Sequence, residues 1–462
     1  IIYPPLSLIE KPFDLVDEDT GEKVPYQIVE VSSPQEPTPM ASHRYSQSLV
    51  DPRYAKAIVF VAKDVPPLGY KTYRIVPSKK KADFPTTIKV TDTTLENRFY
   101  KISVDPKTGV IVSIYDKELG IELVDKDAHH GFNQFISRHL PTGEEYLPRE
   151  SIVEKGNIGP VLGSIIVKGD GVGCPQRTQE ITIYDEIKRI DISNRLLKDS
   201  TPFLEIYFAF PFNIKNPKIK FEAPLSVIEP LKDQIPGSCT DYYIVQHWAD
   251  VSDGIFGVTF SSIESHLLEF GGLWVPSVST IHRGVTPPKY KHEFLKPGDL
   301  KKGHIYSYVM DNTYQTNFNP TQIGDVLFRY SMTTHEGDWK KGKAQEFGWG
   351  AHNPLIPVFI KGEEKARPQR LPTSQSFCRV DKSNVMVLTM KIAEDKDGII
   401  LRLIETEGIK TNVTVTLPFL TISEAYLTNL VEENKRPLSV KKNAVTVPIK
   451  AFGIATIRIK TT

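Results

Sequence analysis

The chain has 462 residues, 40% hydrophobic and 24% charged, enough for roughly three domains at about 150 residues each. Its 57 lysines and arginines stand against 56 aspartates and glutamates, so no global field draws it to nucleic acid or to an anionic membrane, and a neutral partner is expected. Cys174, Cys239 and Cys378 are widely spaced and form no CxxC pair, which argues against a disulfide framework or a zinc ribbon and favours a reducing compartment; no run of about 18 apolar residues offers a membrane-spanning helix.

The N-terminus, Ile1-Ile2-Tyr3-Pro4-Pro5, has neither a methionine nor the basic and apolar regions of a leader, and it opens in what reads as a strand, which suggests that residues lie upstream. Residues 1–84 alternate short apolar runs such as Phe13-Asp14-Leu15-Val16 and Ala57-Ile58-Val59-Phe60-Val61 with proline-rich turns. This pattern predicts a small immunoglobulin-like β-sandwich, closed by the charged linker Ser78-Lys79-Lys80-Lys81-Ala82-Asp83.

Residues 95–125, LENRFYKISVDPKTGVIVSIYDKELGIELVD, read as a three-stranded meander. Tyr100, Ile102 and Val104 alternate with polar residues, and Val110, Val112 and Ile114 resume the alternation after Asp105-Pro106-Lys107-Thr108-Gly109. Gly109 suits the positive φ that closes such a loop, and Asp116-Lys117-Glu118-Leu119-Gly120 repeats the device. Beyond it, residues 152–168, 179–197 and 204–212 predict long strands, and no helical period is evident up to the proline-rich segment near 371. The whole of 85–371 therefore reads as one large multi-sheet β region. Residues 372–462 hold further evenly spaced strands, either a C-terminal β-sandwich or strands that complete the large one. The predicted class is all-β.

The wording of the meander resembles the opening of the large β domain of family 38 glycoside hydrolases, the α-mannosidases. Three later stretches are similar to that family in order: residues 311–320, DNTYQTNFNP, with Phe328-Arg329-Tyr330-Ser331 downstream; residues 398–405, GIILRLIE; and residues 452–459, FGIATIRI. The resemblance spans most of the chain and covers the family's non-catalytic half. It implies a galactose-mutarotase-like supersandwich in the middle, a mannose-containing saccharide as substrate, and an upstream catalytic domain as partner. It also implies that zinc belongs to that domain, because the family holds it through a His-x-Asp motif, an aspartate and a later histidine. None of the eleven histidines here has an aspartate two residues on, so no catalytic or metal residue carries over.

Other metal sites have weak signals. His129 and His130 are adjacent, and neighbours on an extended chain point to opposite faces, so they cannot share an ion without a turn. His247-Trp248-Ala249-Asp250 and His335-Glu336-Gly337-Asp338 place ligand types close together, as many structural loops do. The stronger pattern runs from Tyr306 to Trp349, where aromatics interleave with amides and charges. Sugars are bound in this way, with rings over C–H faces and amides on hydroxyls, although the same aromatics also suit a sandwich core. Asn312, Gln315, Asn317 and Arg329 are expected on a carbohydrate rim there. A second rim is set at Asn133, Gln134, Phe135 and Arg138, placed after the meander where the resemblance implies that the family's β domain approaches the pocket, against a packing role for the same segment.

Three functions compete: the scaffold and wall of an α-mannosidase active site carried upstream, a stand-alone carbohydrate-binding module, and a mutarotase-like enzyme. The last requires a histidine facing a glutamate in the cleft, such as His247 with Glu180 or Glu269.

Overall fold

The computed structural model describes residues 2, 6–30, 56–140, 142–274, 294–312, 321–360 and 371–462. Among them the chain is built of strands in antiparallel pairs, with a four-residue helix at Leu6–Ile9 and a nine-residue helix at Ala344–His352. The all-β class is as the sequence predicts.

In the N-terminal part, Phe13–Asp17 pairs with Tyr73–Pro77 and Tyr26–Glu30 pairs with Lys56–Phe60. Phe13, Leu15, Tyr26 and Ile58 bury a small core between them, with the Phe13 and Tyr26 rings stacked at 4.4 Å. The Gly69–Lys71 strand leaves this group and pairs with Ser374–Ser376. A Cβ on Gly69 would lie 2.0 Å from the Gln375 carbonyl oxygen, so this crossing of two distant segments admits only glycine.

The centre is a supersandwich. A six-stranded sheet, built on Leu204–Lys215 flanked by Gln134–His139 and Lys302–Asp311, packs against a nine-stranded sheet that includes Leu162–Gly171, Cys174–Tyr184, Ile190–Lys198, Phe256–Ser262 and Gly324–Glu336. Phe208, Phe210 and Phe212 of the first sheet meet Phe328, Tyr330 and Phe260 of the second, with ring centroids 4.7–6.4 Å apart. Phe328 and Tyr330 share a buried face, as their strand period requires.

The meander closes this core as part of a five-stranded sheet. Leu95, Tyr100, Ile102, Ile111 and Ile114 are completely buried in the same cluster as the two large sheets. Its turns form as the residues dictate. Asp105 Oδ1 accepts from the Thr108 and Lys107 amides, Asp116 Oδ1 accepts from those of Glu118 and Leu119, and Gly109 and Gly120 take φ of 73° and 70°. The alternation after the first turn is not the one expected, however. Ser103 pairs with Ser113 but Val104 with Ile111, so Val112 is the extra residue of a β-bulge and is 42% exposed, while Ile111 takes its place in the core.

Two other expectations are corrected. Residues 152–168 and 179–197 are not continuous strands but parts of hairpins, Ser151–Ile158 with Leu162–Gly171 and Cys174–Tyr184 with Ile190–Lys198. Gly159-Pro160 turns the first, since proline cannot donate in a central ladder. The helix Ala344–His352 lay hidden because its inward positions are small. A Cβ on Gly348 would lie 2.6 Å from the Trp248 Cβ, so contact with the sheet is made by backbone and leaves no apolar period to read.

The C-terminal part has its own core between a four-stranded and a five-stranded sheet, centred on Leu401, Leu403, Val413, Val415, Val447 and Ile457.

Burial sets the expected stabilities. Ile102→Ala should cost about 2–4 kcal/mol through the cavity it leaves. Val112→Ala, on the bulge, should stay within about 0.5 kcal/mol of the parent. Urea unfolding midpoints of the two variants check this ordering.

Candidate functional site

In the central strand of the six-stranded sheet, even-numbered residues from Ile206 to Ile214 face the core and odd-numbered ones face outward. The outward face is polar and aromatic. It carries Glu205 and Tyr207 on this strand, Ile136 and Arg138 on Gln134–His139, His304, Tyr306 and Tyr308 on Lys302–Asp311, and Glu269 on Leu267–Phe270. All are buried. The charges are therefore matched: Arg138 Nε donates to Glu205 Oε2 at 2.7 Å, Arg138 Nη2 donates to the Tyr207 hydroxyl at 3.0 Å, and the Tyr308 hydroxyl donates to Glu205 Oε1 at 2.8 Å. Tyr207 and Tyr308 stack at 4.5 Å.

Burial holds the Glu205 carboxyl above the ordinary carboxylate range, and the Arg138 charge and the Tyr308 hydroxyl offset part of that rise. Both its oxygens accept hydrogen bonds, the pattern of an ionised carboxylate, so Glu205 anchors this face and is not poised to give a proton. Toward one end of the sheet, His304 Nε2 lies 2.7 Å from Asp125 Oδ2. His130 Nδ1 lies 3.1 Å from the Tyr306 hydroxyl and its Nε2 lies 2.9 Å from Glu145 Oε2. Burial lowers the pKa of both histidines against the pull of these carboxylates.

The residues expected on a rim fare differently. Gln315 and Asn317 lie outside the described residues. Asn133 is buried at φ 55°, a conformation asparagine tolerates, and exchanges two amide hydrogen bonds of 2.9 and 3.0 Å with Asn194 of the opposite sheet. It rivets the sandwich, with both its amide nitrogen and its amide oxygen engaged by Asn194. Gln134 is half-buried and accepts from the Gly131 amide, closing the turn before its strand. Phe135 is 1% exposed and packs into the core over Gly171, where a Cβ would lie 2.6 Å from its ring. The expectation of an exposed Phe135 is therefore corrected: strand alternation turns it inward and turns Arg138 outward onto Glu205. Asn312 is also buried, donating to the Leu204 carbonyl and accepting from the Gln322 amide. Arg329 is partly exposed and clamps Glu264, with its Nε 2.7 Å from Oε1.

The paired histidine and glutamate of the third hypothesis do not assemble as expected. His247 Nδ1 meets Glu222 Oε2 at 2.9 Å, not Glu180 or Glu269. Glu222 also accepts from Trp349 Nε1 at 2.9 Å, and the Trp349 ring lies 4.1 Å from that of His247. Asp250 and His335, from the two short segments that combine ligand types, are brought together at 2.7 Å across the intervening strand Phe256–Ser262, which pairs with the strands of both. His335 is wedged against Gly257 and Gly342, and burial pushes the Asp250 carboxyl up in spite of it. This pair is internal structure. Glu145, Glu205 and Glu222 were missed by sequence reasoning. Glu205 had a signal, as the one acid in the apolar run Phe203-Leu204-Glu205-Ile206-Tyr207-Phe208, where a charge must be paired if buried.

A cleft of about 320 Å³ lies between the N-terminal strands and the loops at 160–161 and 185–186. Its lysines are already paired, Lys71 with Asp17 at 2.7 Å and Lys63 with Glu186 at 2.6 Å.

Two outcomes are expected from these contacts. Arg138→Met strands a buried Glu205 carboxylate and should cost about 3–5 kcal/mol, whereas replacing both partners by apolar residues should recover much of that loss; urea unfolding of the single and double variants measures both. Burial among His247, His266 and Arg329 lowers the His352 pKa to about 4. The unfolded chain then binds this proton at higher pH than the folded one, so stability falls as pH drops from the ordinary histidine value near 6.5 toward 4. His352→Gln should flatten that part of the curve of melting temperature against pH.

Residues 95–265 match the glycosyl hydrolases family 38 C-terminal domain, and residues 384–457 match the glycosyl hydrolases family 38 C-terminal beta sandwich domain. Together they cover more than half of the chain. Among solved structures, a family 38 glycosyl hydrolase from Enterococcus faecalis is 13% identical and superimposes with a TM-score of 0.67 over 99% of this chain and 54% of its own. An α-mannosidase from Enterococcus faecalis V583 gives the same identity and TM-score over 99% of this chain and 52% of its own. The chain thus spans about half the length of the solved structures it matches. No match was found among curated protein sequences. With an all-β supersandwich, a separate C-terminal sandwich and both domain matches in the family's order, this chain belongs to glycoside hydrolase family 38 and carries its C-terminal domains.

Proposed function

We propose that these residues form the β-sandwich portion of an α-mannoside hydrolase, scaffolding and partly walling an active site whose nucleophile and zinc are supplied by a catalytic domain outside this sequence. The observation that carries this reading is the coverage: essentially the whole chain superimposes on about half of an α-mannosidase, leaving the other half of that protein without a counterpart here. The donor chemistry agrees. Without a His-x-Asp segment, the residues present do not fit the family's zinc set, and no step of hydrolysis is assigned to them. The buried Arg138–Glu205–Tyr308 network suits a rigid wall, since each charge is held by the sheet and not offered to a ligand.

A docking surface supports the same reading. Immediately after the Ala344–His352 helix, residues 354–360 run outside any strand or helix and expose Leu355, Ile356, Val358 and Ile360, with Ile356 87% accessible. A continuous apolar stretch of this kind is what a neighbouring domain covers.

The test is hydrolysis of 4-nitrophenyl α-mannoside. The 462-residue chain should be inactive with or without zinc, and a longer polypeptide including its upstream coding region should be active. Ile356→Asp with Val358→Asp should leave the unfolding of the 462-residue chain nearly unchanged and lower the activity of the longer enzyme. Zinc-dependent hydrolysis by the 462-residue chain itself, lost on chelation, overturns the proposal.

A further inference from the structure

The adjacent histidines excluded as an ion site on an extended chain do not lie on one. The backbone bends through residues 128–130 after the last strand of the meander, and both imidazoles swing toward Glu145 on the edge strand Glu145–Tyr146. His129 Nε2 lies 3.4 Å and His130 Nε2 lies 2.9 Å from the same oxygen, Glu145 Oε2. The three donor atoms all fall within 4.8 Å of one another, the one such group of three or more among the described residues.

We infer that His129, His130 and Glu145 form a binding site for a divalent transition-metal ion of the zinc type. With metal–ligand bonds of about 2.0–2.2 Å, the edges of a tetrahedron are about 3.3–3.6 Å long. The His129 contact already has that length, and the His130 contact needs to open by only about 0.5 Å. Two imidazoles and one carboxylate are a donor set for zinc, with a fourth position left to water.

The support around the donors matters as much as their number. His130 is 3% exposed in its side chain, and its Nδ1 is engaged by the Tyr306 hydroxyl from the six-stranded sheet. A ring tied at one nitrogen presents the other in a fixed direction, the arrangement by which outer partners orient metal-ligating histidines. With a metal bound, Nδ1–H donates to Tyr306 and Nε2 is free of its proton. Without one, Nε2–H donates to Glu145 and Nδ1 accepts from Tyr306. The site is thus satisfied in both states and needs only a change of tautomer. His129, with its side chain 79% exposed, closes over it from solvent.

Titration of the 462-residue chain with zinc sulfate by calorimetry tests this, with cobalt(II) as a spectroscopic substitute. One ion per chain is expected, with a rise in melting temperature and the absorption of a four-coordinate cobalt centre. His129→Ala and Glu145→Gln should each weaken binding tenfold or more. Tyr306→Phe should weaken it by roughly tenfold through the loosened His130 ring. Because His129 is exposed, and because glutamine at 145 still accepts from His130, both ligand variants should melt like the parent when metal-free. Stoichiometric binding that persists in His129→Ala and Glu145→Gln would place the ion elsewhere among the eleven histidines and overturn the site. Absence of saturable binding in the parent chain overturns it equally.

Discussion

The strand Leu204–Lys215 is the constraint to which the rest of the molecule answers. Its first nine residues are buried in succession, so neither of its faces meets water. On the core side this is resolved by aromatics that interlock with the nine-stranded sheet. On the other side the strand places Glu205, a charge whose desolvation is tolerable only with a partner held in good geometry. Arg138 and Tyr308 come from the two neighbouring strands to meet it, which ties the register of three strands to one carboxylate. An apolar residue at 205 would pack without that requirement, and the register would then rest on the backbone ladders and the alternation of buried side chains alone.

Polar contacts perform a similar office between layers. Asn133 and Asn194 join the two large sheets, while the Tyr100 hydroxyl lies 2.9 Å from Thr334 Oγ1 and connects the meander to the larger one. Thr334 donates in turn to Asp116, which Lys188 neutralises at 3.0 Å. Apolar faces alone allow sheets to shift relative to one another. Directional bonds at fixed depths do not, and each is expensive to leave unmade once buried.

Much of this was legible in the sequence, and the exceptions have physical reasons. Alternation identified the meander, the turns at Asp105 and Asp116, and the shared face of Phe328 and Tyr330, because strand period and turn chemistry are local. The bulge at Val112 was invisible, since an inserted residue shifts the pairing without altering the composition around it. The Ala344–His352 helix escaped because glycine, not a large apolar side chain, makes its closest approach to the sheet. That Asn133 and Asn312 are buried, where a rim was expected, has a deeper reason. Asparagines and aromatics bind sugars and also fasten sandwiches, and only the tertiary partner of each one, Asn194 for Asn133 or the Leu204 carbonyl for Asn312, decides between the two uses. His129 and His130 meet the condition set for them in the sequence, since a bend of a few residues brings both side chains to Glu145.

The pairing of Gly69–Lys71 with Ser374–Ser376 has a consequence for how the chain is made. Tyr70, in the first of these strands, donates its hydroxyl to the carbonyl of Pro372, 302 positions later in the chain. During synthesis at roughly 5–20 residues per second, the second strand follows the first out of the ribosome on the order of 15–60 s later. Until then Gly69–Lys71 has an open edge, and such an edge invites association with other nascent chains. The interval exceeds by orders of magnitude the microseconds in which a hairpin forms. Until then the pairing of Gly69–Lys71 is incomplete, and the segment Ser374–Ser376 acts as the clasp that seals it.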